Sequence, residues 1–323
     1  MVDALDFRLL NDFQRDFPLS SRPYAEIGEQ LGVGEDEVLQ RLHRLAGDRK
    51  ISRVGAVLAP RCFGASALVA MAVPPAQLSS VAAQVNRFPG VNHNYARRHA
   101  FNLWFVLTAA DATHLEQQLD AIEAATGLPT LRLPLLEEFH IDLGFSLADT
   151  GPAPARPRPK PVTPAPSLKP DENQLLQVLQ EGLPLQAQPF AAMAERLGTS
   201  ATDVRQGIRG WLQSGAIKRF GIIVRHRELG FAANAMLVHD VPDAQVSAVG
   251  QALATEPAVT LCYRRPRQPP EWPYNLFCMI HGREEAEVEA QIADLRARHG
   301  LQDMEHAILF SETCFRQRGA RYV

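Results

Sequence analysis

The chain carries the stretch PYAEIGEQLGVGEDEV from Pro23 to Val38 and a similar stretch, PFAAMAERLGTSATDV, from Pro189 to Val204. The two align at a constant offset of 166 residues, and in each a short run with helical spacing ends at a glycine, Gly32 or Gly198. Similarity at a fixed offset indicates a tandem duplication. A helix, a glycine turn and a further helix in both copies predict a helix-turn-helix in each half of the chain.

Each copy is predicted to begin with a winged helix-turn-helix, in which three helices precede a strand pair. Strands and helices then alternate in the order βαββαβ, which is the order of a ferredoxin-like sandwich. The predicted fold class is therefore α+β, with two tandem units of this kind. The last strand region of copy one is predicted at Thr130–Leu143. The winged parts contain the predicted elements Leu5–Phe17, Tyr24–Leu31, Val38–Leu45 and Ile51–Leu58 in copy one, and Asp171–Leu183, Phe190–Leu197, Val204–Leu212 and Ile217–Val224 in copy two.

A proline-rich segment, GPAPARPRPKPVTPAPSLKP from Gly151 to Pro170, separates the two copies and holds eight of the 24 prolines. Proline fixes φ and lacks the backbone donor, so this segment is predicted to be an extended tether. The predicted domains are a winged helix-turn-helix at 1–60, a ferredoxin-like domain at 61–148, the linker at 149–170, a second winged helix-turn-helix at 171–226 and a second ferredoxin-like domain at 227–323.

Composition excludes several classes of protein. The 323 residues are 46% hydrophobic, which is typical of globular chains. No apolar run reaches the roughly 18 residues of a membrane span, and the acidic N-terminus does not resemble a secretory signal. The four cysteines form no CxxC pair, so neither a zinc site nor a disulfide framework is expected. We therefore expect a cytoplasmic protein without a membrane partner.

The helix that would read DNA is led by carboxylates. In copy one it starts with Glu35, Asp36 and Glu37, which phosphates would repel. Residues 1–148 carry a net charge of −4 and residues 168–323 a net charge of −1, so neither half is basic. No specific DNA binding is expected.

The most distinctive motifs are VNHNYARRHAFNLWFVLT, from Val91 to Thr108, and VTLCYRRPRQPPEWPYNLFCMIHG, from Val259 to Gly282. They align with each other, with an insertion of five residues in the second. The two motifs resemble the paired signatures of the siroheme decarboxylases, which are Lrp/AsnC-like in fold but enzymatic. The first is similar to the D-type subunit and the second to the L-type subunit, so the chain resembles a natural fusion of the two.

This resemblance implies a carboxy-lyase of heme d1 biosynthesis. Such an enzyme removes the acetate carboxyl groups on rings C and D of siroheme and yields 12,18-didecarboxysiroheme. The iron is part of the substrate, so the resemblance implies no separate cofactor and no metal site made by the protein alone. The two ferredoxin-like sheets are expected to form an internal pseudo-dimer with the site at their junction. Two points stay open from the sequence: pairing of whole chains into homodimers, and a need for a related decarboxylase subunit pair.

A site for this substrate needs cations for the carboxylates and an apolar slot for the ring. Arginine binds a carboxylate through two parallel hydrogen bonds, and here arginine pairs follow a tyrosine in both motifs. The alternative is that these arginines are solvated charges at strand ends. The predicted substrate-binding residues are Tyr95, Arg97, Arg98, Asn102, Trp104, Tyr263, Arg264, Arg265 and Asn275.

His93 and His99 flank the first arginine pair and are the predicted catalytic residues. Loss of CO2 leaves carbanion character that a proton must quench, and histidine is a common donor near neutral pH. Either imidazole could instead ligate the substrate iron, or could make only structural hydrogen bonds within the sheet. Copy two has Leu261 where copy one has His93, and its own histidines, His239 and His281, are weaker candidates.

Other signature residues have two interpretations each. Phe101, Trp104, Trp272 and Phe277 could wall the macrocycle or form plain core. Asn102 and Asn275, at one repeat position, could orient a reacting group or make a turn hydrogen bond. The wing residues Lys50, Arg53, Lys218 and Arg219 could contact a ligand, as phosphate in a DNA binder or propionates here, or could simply be solvated. The rival functions are a transcription regulator that binds haem or another small effector, and a haem carrier without catalysis.

Overall fold

The computed structural model describes residues 2–59, 62–141, 144, 147 and 169–322. The chain divides into two compact units, one made of Met1–Phe63 with Asp142–Leu229 and the other of Gly64–Ile141 with Gly230–Val323. The first unit holds the winged-helix parts of both copies, and the second holds both βαββαβ parts. Nearly all of the predicted tether lies outside the described residues.

The helices and strands follow the predicted order in both copies. In the first copy they are α1 (Ala4–Asp12), α2 (Pro23–Leu31), α3 (Glu35–Gly47), β1 (Ile51–Leu58), β2 (Ala65–Met71), α4 (Leu78–Val85), β3 (Val91–Arg97), β4 (Leu103–Ala109), α5 (Ala112–Thr126), β5 (Leu131–Pro134) and β6 (Glu137–Ile141). In the second they are α6 (Pro170–Glu181), α7 (Pro189–Leu197), α8 (Ala201–Ser214), β7 (Ile217–Val224), β8 (Ala233–His239), α9 (Val246–Leu253), β9 (Val259–Arg264), β10 (Leu276–Gly282), α10 (Glu285–Arg298) and β11 (His306–Gln317).

In the winged-helix unit, the strand pair forms between the copies. Strand β1 pairs antiparallel with β7, and Gly55 faces Gly221 near the centre of the ladder. A Cβ at Gly221 would collide with the backbone of Gln14, so the close approach of the segment that follows α1 requires glycine there. The sequence predicts a strand pair within each winged helix. In the structure, one strand from each copy instead forms a single pair that both winged helices share.

Charges on α3 are neutralised within the helix and its neighbour α1. Arg41 donates to Asp3 at 2.7 Å, to Asp6 at 2.9 Å and to Glu37 at 2.8 Å. Arg44 donates to the same buried Asp6 at 2.6 Å. These cations are therefore committed to protein carboxylates.

The wing arginines are buried rather than presented to a ligand. Arg53 donates to the carbonyl of Ala56 at 3.0 Å, and burial lowers its pKa to about 10. Arg219, at the equivalent position of copy two, is 4% exposed and donates to the carbonyl of Gln14 at 2.5 Å. Neither ligand contact, to phosphate or to propionate, nor solvation describes these two arginines, because both donate to backbone carbonyls within the winged-helix unit.

The second unit is built on one nine-stranded sheet in the order β5-β2-β4-β3-β11-β8-β10-β9-β6. Copy one contributes the run β5-β2-β4-β3 and copy two the run β11-β8-β10-β9, each in the ferredoxin-like order. Strand β11 joins the two runs, because His306–Phe310 pairs with β8 and Ser311–Gln317 pairs with β3. The predicted strand region Thr130–Leu143 splits in the same way: β5 pairs with β2 of its own copy and β6 pairs with β9 of the other. The last strand region of each copy thus pairs with strands of both copies.

Three apolar cores stabilise this sheet. Two of them lie between the sheet and the helices of one copy each. The third combines side chains of both copies from the face that carries no helices, including Leu68, Trp104, Trp272, Phe277 and Leu309. The helix-free faces of the two halves therefore pack on each other, which places the predicted junction within a single folded unit.

His239, at the end of β8, is a fully buried histidine. It is 0% exposed, and within the described chain neither ring nitrogen has a hydrogen-bond partner. Burial, with smaller effects of the charges of Arg296 and His306, lowers its pKa to about 3 from 6.5. Met71 is its counterpart in copy one, since the carbonyls of both accept the backbone N–H of an equivalent asparagine.

We expect the parent chain to lose stability as the pH falls below about 6.5, because the unfolded chain then binds a proton at His239 that the folded chain rejects. At pH 5 the loss amounts to about 2 kcal/mol. His239→Met, which installs the residue of copy one, should remove this component, as measured by urea unfolding at pH 7.5 and pH 5. The exposed His114→Met serves as the control, and equal pH dependence in parent and His239→Met would contradict the prediction.

Candidate functional site

A row of three signature residues lies on β3. Because side chains alternate along a strand, His93, Tyr95 and Arg97 share one face. That face is the helix-free one, since Asn94 points the other way and donates to the carbonyl of Ala82 in α4 at 3.3 Å. The rings of His93 and Tyr95 stack with centroids 6.3 Å apart, and the Arg97 guanidinium lies 5.9 Å from the Tyr95 ring centroid. The strand thus brings a histidine, an aromatic ring and a cation into contact.

The arginine of this row has a counterpart in copy two. Arg97 is 8% exposed and donates to the carbonyl of Leu309 at 3.0 Å, in the last strand of the other copy. Arg265 donates to the carbonyl of Leu133, again in the other copy, and lies 4.5 Å from the Tyr263 ring centroid. Each half therefore places one guanidinium across the junction, in pseudo-symmetric positions.

Copy two adds a histidine beside Arg97. His281 in β10 hydrogen bonds through Nδ1 to Asn234, whose own Nδ2 donates to the carbonyl of Phe231 at 3.3 Å. This orientation makes the Asn234 oxygen the acceptor, so we infer that the hydrogen of His281 is on Nδ1. Burial, and then the charge of Arg97, lower the pKa of His281 to about 4. A neutral imidazole of copy two therefore lies beside the cation of copy one.

His99 lies on the turn after β3 rather than in the row. Its Nδ1 accepts the backbone N–H of Phe101 at 3.1 Å, and its ring meets that of Trp272 edge-on at 5.5 Å. Burial lowers the pKa of His99. Because Nδ1 is an acceptor, the neutral ring keeps its hydrogen on Nε2, which suits a hydrogen-bond donor better than an iron ligand.

The other two predicted arginines are paired with acids. Arg98 is exposed and binds Glu285 at 3.0 Å and Glu312 at 3.4 Å; these carboxylates raise its pKa. Arg264 binds Asp243 at 2.8 Å. The four arginines therefore divide into two that cross the junction and two that are neutralised by neighbouring carboxylates.

The paired asparagines hold the backbone. Both groups of the Asn102 side-chain amide bond to Val73, at 2.9 and 2.8 Å. Asn275 does the same to Val241, at 3.0 and 2.8 Å. Of the two interpretations, the turn hydrogen bond is the one that this geometry supports, because the amides are already committed at both repeat positions.

Most of the predicted aromatic wall lies in the core. Trp104 is 1% exposed, and Trp272 and Phe277 are 0% exposed. Trp104 donates from Nε1 to the carbonyl of Phe101 at 2.7 Å and packs on Trp272 with centroids 5.1 Å apart. Phe101 is the member of this set that keeps exposed surface, and Tyr95, which was predicted separately to bind substrate, keeps some in the row beside Arg97.

Basic residues near the C-terminus were not singled out by the sequence analysis. Strand β11 runs beside β3 with Gln317 opposite His93. Arg316 and Arg318 donate to the carbonyl of Val91, each at 3.2 Å. The concentration of arginines in the closing stretch RQRGARYV was the available signal, but only the strand pairing shows that they flank His93.

The part of the chain that the structure describes lacks two features. That part of the chain contains no group of three or more His, Cys, Asp or Glu side chains placed to hold a metal ion. Within the same residues, no helix has both the length and the apolar character needed to span a membrane.

Comparison with known proteins agrees with the resemblance read from the motifs. The model of an AsnC-like ligand-binding domain matches residues 62–140 and 228–316, and that of a siroheme decarboxylase NirDL-like HTH domain matches 6–51 and 172–217. Both models match twice, which confirms the tandem duplication and the predicted fold class.

Full-length and half-length relatives are both found. The siroheme decarboxylase NirDL subunit of Paracoccus denitrificans is 47% identical, covering 99% of this chain and 97% of that protein. The NirD subunit of Stutzerimonas stutzeri is 51% identical, covering 46% of this chain and 97% of its own length. The crystal structure of the siroheme decarboxylase NirDL with an iron-uroporphyrin III analogue superimposes with a TM-score of 0.69, at 27% identity, covering 96% of this chain and 92% of that one.

Proposed function

Since the chain belongs to the siroheme decarboxylase family, we propose that it removes the acetate carboxyl groups of rings C and D of siroheme as CO2. The observation that carries the proposal is the junction row of His93, Tyr95 and Arg97, which combines a proton donor, an aromatic surface and a buried cation. A solved relative binds an iron-uroporphyrin analogue, which is likewise a flat macrocycle ringed with carboxylates.

The reaction breaks the bond between the acetate methylene carbon and its carboxyl carbon. The electron pair stays on the methylene carbon, where the conjugated ring delocalises it, and CO2 leaves. One proton then converts the methylene to a methyl group, so no oxidant or reductant is consumed. We assign this proton transfer to His93, because histidine exchanges protons near neutral pH and this ring lies in the row beside Arg97.

The remaining groups position the substrate. Arg97 and Arg265 bind carboxylates that are not lost, since a guanidinium keeps its charge when buried and offers a planar pair of donors. Tyr95 packs against the macrocycle. His99 offers its Nε2–H as a hydrogen-bond donor to the substrate. Iron arrives with siroheme and is substrate, and this scheme adds no cofactor.

The architecture also fits the wider assignment. The nine-stranded sheet makes the two halves an internal pseudo-dimer, with the site where copy one and copy two meet. All four cysteines are free thiols, which suits the reducing cytoplasm. A transcription regulator is not favoured, because β1 and β7 pair with each other and the arginines of α3 bind protein carboxylates.

Incubation of the anaerobic protein with siroheme tests the proposal. We expect the tetrapyrrole to lose the mass of two CO2, followed by mass spectrometry of the extracted product. Titration with duplex DNA over a range of salt concentrations provides the contrast, because a regulator must show salt-dependent binding. Siroheme that is bound, as seen by absorbance, but recovered unchanged would refute the enzymatic function.

A further inference from the structure

The insertion in copy two folds into a short, anchored hairpin between β9 and β10. Gln268 and Trp272 exchange two backbone hydrogen bonds of 2.8 and 2.9 Å. Arg267 binds Asp240 through Nε at 2.8 Å, and the Gln268 side chain donates to the carbonyl of Arg132 at 3.0 Å. The hairpin is therefore fixed to both copies, and Trp272 at its end has a defined position.

Trp272 covers the turn of copy one that carries His99. Its ring is edge-on to His99 at 5.5 Å and to Phe101 at 6.0 Å, and packs on Trp104 at 5.1 Å. The indole is 0% exposed, and among the described residues its Nε1–H has no acceptor. A buried donor without an acceptor destabilises a fold, and phenylalanine would avoid this. Core packing alone therefore does not explain why this position carries an indole.

His99 is held from several sides. Its Nδ1 accepts the N–H of Phe101, whose ring also stacks on it at 6.3 Å. Among charged groups, the adjacent Arg98 is exposed and balanced by Glu285 and Glu312. Burial is what lowers the pKa of His99, and the Trp272 ring supplies part of that burial.

We propose that Trp272 is a positioning residue, through which the insertion of copy two buries His99 of copy one and holds its ring in the orientation in which Nδ1 accepts the Phe101 N–H. The consequence for catalysis rests on the function proposed above. Copy one lacks the insertion. The second half of the duplicated chain therefore sets the burial and orientation of a histidine in the first half.

An NMR titration of the histidine side chains in the full-length protein tests this directly. The His99 resonance is assigned by its disappearance in His99→Gln. In Trp272→Leu we expect the His99 midpoint to rise towards that of an exposed histidine, about 6.5, with a smaller rise in Trp272→Phe. Phe277→Leu, which trims a buried ring that stacks on Trp272 itself, is the matched control and should leave the midpoint unchanged.

Trp272→Phe keeps an aromatic ring in the core and decides the matter if Trp272→Leu fails to fold. A His99 midpoint unchanged in the Trp272 variants, or moved equally by Phe277→Leu, would overturn the proposal. The titration needs no turnover, so a parent chain without decarboxylase activity would refute the function and leave this result standing. Protonation of His99 puts a hydrogen on Nδ1 and breaks its bond to the Phe101 N–H, so the ring loses its position. With activity present, the acid limb of kcat/KM should therefore move to higher pH in Trp272→Phe along with the midpoint, and a limb that stays in place would overturn the positioning role.

Discussion

Replacing His93 with leucine should reduce the rate of siroheme decarboxylation at least about a hundredfold while the protein stays folded. Leucine is the residue that copy two carries at the same repeat position, Leu261, so the strand is expected to accept it. The loss reflects the missing proton donor beside the carbanion-like carbon. The measurement is the anaerobic rate of product formation, followed by mass spectrometry at saturating siroheme.

The effect should fall on kcat and not on binding. Arg97 and Arg265 are unchanged in this variant, so the Kd of an iron uroporphyrin should move less than about threefold, which is under about 1 kcal/mol. His114→Leu, on the exposed face of α5, is the control for loss of any histidine. A parental rate in His93→Leu would show that the proton comes from another group, and His281 would be the first to examine.

Local patterns in the sequence predict the elements of this fold well, but not their partners. The duplication and the order of helices and strands follow from apolar spacing and glycine turns, and β1 and β7 have the predicted bounds. Pairing of β1 with β7 could not be predicted, because a strand's own alternation does not say which strand lies beside it. For the same reason β11, read as one strand, gave no sign that its two ends pair with different copies.

The arrangement of the candidate site could be predicted to a similar degree. The motif itself identifies His93, Tyr95 and Arg97 as candidates. Because side chains alternate along a strand, Arg97 and Arg98 are expected to point to opposite sides, and Arg98 lies beside Glu285. Asparagine occupies the same repeat position in both copies, as Asn102 and Asn275. The sequence could not say why, because a turn common to both copies and a site common to both copies would each retain the residue. His281 has no histidine counterpart in copy one, so only the packing of the two halves reveals that it lies beside Arg97.

Replacing Arg97 with lysine should weaken the binding of an iron uroporphyrin by roughly ten- to a hundredfold, and that of protohaem much less. Lysine keeps the positive charge but loses the planar pair of donors, so the loss should scale with the number of carboxylates that the ligand presents. Iron uroporphyrin carries eight and protohaem two. Arg265→Lys, at the pseudo-symmetric position, should show the same preference.

Arg98→Lys is the matched control, one residue away. Its guanidinium is exposed and bound to Glu285 and Glu312, so its replacement should change either affinity less than about twofold. Titrations of the parent and the three variants with both ligands, followed by the absorbance of the macrocycle, give all eight affinities under one set of conditions. Equal losses for the two ligands in Arg97→Lys would mean that Arg97 acts through its bond to the Leu309 carbonyl, as a brace between the copies. A selective loss confined to Arg97→Lys and Arg265→Lys would identify the two guanidiniums that cross the junction as the groups that distinguish a carboxylate-rich tetrapyrrole from haem.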